Sequence, residues 1–119
     1  MNTVRFTATG LFLYGCLLSL QAQTLSARDA AAHIGENKTV CGEIASEYTA
    51  TSSHGTPTFI NVDQPYPHQV FTILIWGDDG QKVGQFPTSG RVCATGMITE
   101  YHGSPEIVLR DSHSWNVPK

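Results

Sequence analysis

The stretch Thr58-Phe59-Ile60-Asn61-Val62-Asp63-Gln64-Pro65-Tyr66-Pro67-His68-Gln69-Val70-Phe71-Thr72-Ile73-Leu74-Ile75-Trp76 decides the fold. It reads as two strands, Pro57 to Asp63 and Gln69 to Trp76, joined by a stiff link that holds Pro65 and Pro67. Successive side chains of a strand alternate between faces. Phe71, Ile73 and Ile75 therefore point one way, and Val70, Thr72, Leu74 and Trp76 the other. In the first strand Phe59 and Asn61 share a face, opposite Thr58, Ile60 and Val62. Large side chains on both faces of the second strand need cover on both sides, which a small curled barrel supplies and an open edge does not. Each proline fixes its own φ and pushes its predecessor towards extended geometry, so Tyr66 is held in one pose between them. It is the leading candidate for an exposed aromatic; closing one barrel end with its ring is the purely structural alternative.

Two similar segments flank this hairpin: Thr39-Val40-Cys41-Gly42-Glu43-Ile44 before it and Arg91-Val92-Cys93-Ala94-Thr95-Gly96-Met97-Ile98 after it. The first belongs to a long strand from Asn37 to Ala50, with Val40, Gly42 and Ile44 on one side and Cys41, Glu43 and Ala45 on the other. Gly42 in mid-strand marks a bend or the close approach of another backbone. After Trp76, Gly77-Asp78-Asp79-Gly80 is a turn in which Asp78 or Asp79 is placed to cap a short helical segment reaching Gln85. A strand from Arg91 to Tyr101 follows, then a hairpin turn at His102-Gly103-Ser104 and a last strand from Pro105 to Arg110, with Trp115 expected to fold back as an apolar plug. Upstream, Ser26 is placed to cap a short alanine-rich helix that Gly35 stops, with His33 facing its terminal carbonyls.

The expected class is all-β. Three strands, a short helical connector and two more strands, preceded by a short helix, describe the five-stranded OB-fold, a Greek-key barrel. In that topology the first and fourth strands are neighbours, so Cys41 and Cys93 can face each other. A bridge there would close a loop of roughly fifty residues and stabilise the fold by about 3–4 kcal/mol through the unfolded state. Two buried free thiols are the alternative. No Cys-x-x-Cys occurs, so redox chemistry has little support.

The 119-residue chain opens with Arg5 and a mostly apolar run from Phe6 to Leu20, then Ala22. This is the layout of a signal peptide over residues 1–22, leaving a domain over 23–119 with no further long apolar run, exported to the periplasm or secreted. Leu13-Tyr14-Gly15-Cys16 offers a rival, a loose lipoprotein box with Cys16 acylated. Beyond residue 22, six basic side chains face ten acidic ones, a net charge of −4 with histidine neutral. That balance argues against a strong nucleic-acid binder, whose affinity comes mainly from neutralising phosphates.

The runs Ala31-Ala32-His33-Ile34-Gly35, Thr39 to Ile44, Pro57 to Pro67, Phe71 to Gly77 and Val92 to Ile98 together resemble a family of small exported bacterial OB-fold proteins. That family is described as nucleic-acid-binding by fold, and similar modules stand beside secreted staphylococcal-type nucleases. The resemblance spans roughly residues 26 to 111. It implies an exported binding module engaging single-stranded nucleic acid or nucleotides by stacking; another exported protein or an envelope ligand is the alternative partner. The connector departs from the family pattern, since Lys82 and Arg91 are its only cations.

On such a barrel the ligand groove crosses the second and third strands, with aromatics for stacking and cations for phosphate. The candidates are Tyr48, Phe59, Tyr66, Trp76 and Tyr101 for stacking, and Lys82, Arg91 and Arg110 for phosphate. Core packing competes for Phe59 and Trp76, and plain solvation competes for Arg110. The five histidines lack ligand spacing, and no paired carboxylates or nucleophile motif appear, so neither metal, cofactor nor catalytic residue is expected.

Overall fold

The computed structural model describes residues 24–119. The leader and the Cys16 alternative fall outside the described residues. Eight strands form one sheet: β1 (Thr24–Ser26), β2 (Asn37–Thr49), β3 (Thr58–Val62), β4 (Phe71–Ile75), β5 (Gly90–Met97), β6 (Thr99–Tyr101), β7 (Ser104–Leu109) and β8 (Trp115–Asn116). Among the described residues a single short α-helix, α1 (Gly80–Val83), lies between β4 and β5. The order across the sheet is β6-β7-β4-β3-β2-β5-β8, with β1 added parallel to the start of β2.

The sheet curls because β2 serves both of its halves. Asn37 to Ile44 pair antiparallel with β5, and Ile44 to Thr49 pair with β3, the register shifting between Ile44 and Ser46. Such a bulge bends a strand and increases its twist. The pairing of β4 with β7 is parallel, while the other ladders beyond β1 are antiparallel. The two strands β5 and β6 are consecutive in the chain but lie far apart in the sheet order, separated by Ile98 alone. This is a strongly curled, OB-fold-like half-barrel.

Its core is the inner face. Val40, Ile44, Ile60, Val62, Phe71, Ile73, Ile75, Val92, Ala94, Ile107 and Leu109 alternate inward, joined by Ala27, Ala30, Val83 and Ile98. All five residues of β4 are buried, as two-sided apolar patterning requires. Cys41 stands opposite Cys93 in the β2–β5 ladder, and the two form a disulfide. Trp115 does fold back: its ring packs on Phe86 at 4.9 Å and its Nε1 donates to the Val83 carbonyl over 2.9 Å.

Several local expectations need correction. Residues 28–33 form a 3-10 helix rather than an α-helix, and Ser26 belongs to β1, although its Oγ still accepts from the Asp29 amide at 3.3 Å. His33 meets Glu36 at 2.9 Å instead of the helix-end carbonyls. That hydrogen bond, with Lys38 nearby, holds the Glu36 carboxyl below the ordinary range. The connector is a 3-10 turn (Gly77–Asp79) leading into α1, and neither aspartate side chain caps it. Asp79 instead pairs with Lys82 at 3.8 Å and Arg110 at 3.9 Å. The strand expected over Arg91 to Tyr101 breaks at Ile98, whose amide and carbonyl bond the backbone of Glu36 and Gly35. Its ladder positions are taken by the turn that follows the 3-10 helix.

Candidate functional site

Register places one polar row across the outer face of the sheet. Ser46 of β2 pairs with Asn61 of β3, Asn61 with Thr72 of β4, and Thr72 with Glu106 of β7. Directly paired residues share a face, so these four side chains lie side by side. Asn61, Thr72 and Glu106 are the buried polar side chains among the described residues, at 3%, 5% and 6% exposure. Asn61 Nδ2 donates to Ser46 Oγ over 2.9 Å. Glu106 has no cationic partner among the described residues, and burial pushes its carboxyl above the ordinary carboxylate range.

Over this floor stands a pocket of about 920 Å³, within the range of small-ligand sites. Tyr48 and Phe59, a cross-strand pair two positions along the ladder and so on the same face, form one wall. The opposite wall is the β6–β7 hairpin with Tyr101, His102, Gly103 and Ser104. His102 and Gly103 both have positive φ, at 50° and 82°, as a two-residue turn of the primed type requires. The Tyr101 and His102 rings stack at 4.0 Å. Tyr66, Pro67 and Gln69 of the proline link close a third side. The Tyr66–Pro67 peptide is cis, and Tyr66 is 73% exposed.

The eight residues expected to bind ligand therefore divide. Tyr48, Phe59, Tyr66 and Tyr101 line this one pocket. Trp76, Lys82, Arg91 and Arg110 do not. The Trp76 ring packs over Gly55, where a Cβ would come within 2.9 Å of it. Lys82 and Arg110 share Asp79 on the connector, and Arg91 lies in β5 in register with Glu43. No lysine or arginine lines the pocket among the described residues. Ser46, Asn61, Gln69, Thr72, His102 and Glu106 line it as well, and none was among the candidates. Their signal was faint: Asn61 shares the Phe59 face, while a lone glutamate on an alternating strand reads as solvent-facing.

Among the described residues no three His, Cys, Asp or Glu side chains are grouped to hold a metal ion, and no helix is long and apolar enough to cross a membrane. No family model and no curated protein matches the chain. Among solved structures it is similar to a chain assigned as an aspartyl-tRNA synthetase from Leishmania major Friedlin, with a TM-score of 0.54 and 9% identity. That likeness covers 82% of this chain and 21% of the synthetase chain. At such identity it shows the OB-fold-like architecture alone.

Proposed function

We propose that the protein is an exported OB-fold binding module, not an enzyme, and that its ligand enters the pocket bounded by Tyr48, Phe59, Tyr66 and Tyr101. In this reading β2, β3, β4, β5 with its extension β6, and β7 are the five barrel strands, and the resemblance to the exported bacterial family supplies the compartment. The ligand is part of another exported protein or an envelope molecule, rather than the phosphate backbone of a nucleic acid.

One observation carries this choice: four of the five stacking candidates gather around a buried carboxyl with no cationic partner among the described residues, while every candidate phosphate cation lies elsewhere. Phosphates need nearby positive charge, and a carboxylate at the floor repels them. The deciding experiment titrates short labelled oligonucleotides at low and physiological salt. No saturable binding is expected up to tens of micromolar. In parallel, crosslinking in an envelope extract should capture a partner with the wild-type protein and lose it with Phe59→Ala. Saturable, salt-dependent oligonucleotide binding lost on Tyr66→Ala would restore the nucleic-acid assignment.

A further inference from the structure

The pocket floor holds a carboxyl, and no lysine or arginine lines the pocket among the described residues. The Asn61 amide nitrogen donates one of its two hydrogens to Ser46, and its carbonyl oxygen has acceptor capacity. Glu106 lies 6% exposed with no cation beside it. Gln69 Oε1 is buried without a hydrogen-bond partner among the described residues. Around these stand aromatic rings whose faces carry partial negative charge. Buried acceptors left unpaired cost stability, and a buried carboxylate costs more, so the arrangement is completed by a group that brings donors and positive charge together.

We propose that this pocket binds a protonated nitrogen head, ammonium or guanidinium, on an apolar stem, with Glu106 as its counter-ion and Phe59, Tyr66 and Tyr101 enclosing the stem. The inference rests on the reading of this pocket as the ligand site and names the chemistry of what enters it. An anionic head is repelled by ionised Glu106, and a neutral one brings no charge to offset it. A guanidinium offers five donors in a planar fork, which suits both the carboxylate and stacking on a ring. The head belongs to a free amine or to a lysine or arginine side chain of an exported protein; both present the same chemistry.

The proton balance follows from the groups facing Glu106. These are Tyr48 from β2, Tyr66 from the proline link, and Tyr101 and His102 from the hairpin, while β3 and β4 contribute no titratable side chain. A cation requires Glu106 ionised. Affinity therefore rises as pH rises through the range in which Glu106 ionises, which burial sets above the ordinary carboxylate range.

The test is an amide-shift NMR titration of the oxidised protein with four probes: agmatine, Nα-acetyl-arginine amide, Nα-acetyl-lysine amide and Nα-acetyl-citrulline amide. Citrulline has the shape of arginine without its charge. The cationic probes should move the Asn61, Thr72 and Glu106 amides saturably, and citrulline should bind about tenfold weaker or less. Glu106→Gln should lose about tenfold in affinity for the cations and not for citrulline. Tighter binding of agmatine points to a free amine, and of the capped amino acids to a protein side chain. Equal binding of citrulline and arginine overturns the proposal while leaving the pocket as the ligand site. Absence of any pocket shift with all three cations overturns it too, and the envelope crosslinking then judges the parent reading separately. If Glu106→Gln fails to fold, the arginine–citrulline comparison on the unaltered protein decides.

Discussion

Glu106 is held in β7 with its carboxyl pushed up by burial and nothing to offset the charge. A carboxyl whose folded pKa lies above its unfolded value binds its proton more tightly in the folded state. Its stabilising contribution is then complete below the unfolded value, near 4.5, and is lost as pH rises through the raised folded value. Wild-type thermal stability should accordingly fall, relative to Glu106→Gln, across the upper carboxylate range. Paired melts from about pH 4 to pH 8 check this, and parallel curves would refute it. Gly42 gives a second prediction. A Cβ there would collide with Val62 Cγ1 and lie 2.9 Å from Asp63 Oδ1, which itself accepts from the Glu43 amide over 3.0 Å. Gly42→Ala should cost about 1–3 kcal/mol in urea unfolding, since neither neighbour is free to retreat. The sequence suggests a bend or the close approach of another backbone here; what crowds Gly42 is instead the side chains of Val62, Asp63 and Ala27.

Among the elements, the ladder between β2 and β5 is the seam that the disulfide fastens. Replacing Cys41 and Cys93 together by serine should lower stability by about 3–4 kcal/mol, read as a shift in urea midpoint, and reductant should leave that variant unchanged. The seam was legible because identical Val-Cys contexts sat on two strands that one topology makes neighbours. The two-faced β4 and the turn at His102–Gly103 were legible for the same kind of reason: alternation and turn chemistry are local. The break at Ile98 was not, because it is set by backbone groups of Gly35 and Glu36 from another part of the chain. Asp79 misled for a related reason. Its position before a helical turn suggests a cap, but Arg110 arrives only once β7 has folded beside β4.

At the scale of the whole molecule, charge and aromatics are segregated. Sequence composition foresaw the acidic balance and four of the pocket aromatics, yet it could not show that the cations would gather away from them. Nor could it show that Glu106 would be buried in the floor of the pocket. The segregation makes a clean expectation: Lys82→Ala, Arg91→Ala and Arg110→Ala combined should leave ligand capture within about twofold of wild type, whereas Phe59→Ala should abolish it. Calorimetry or crosslinking yield against any captured partner measures both. A large loss in the triple variant would relocate the interface to the connector side.

The turn at His102–Gly103 acts as a ruler. β6 joins the sheet only through β7, so the number of residues at that tip fixes how far one aromatic wall stands from the tyrosine across the cleft. Lengthening it by a residue or two would widen the mouth while every inward-facing side chain kept its neighbours. Relatives with a longer tip should admit bulkier guests on an otherwise unchanged frame.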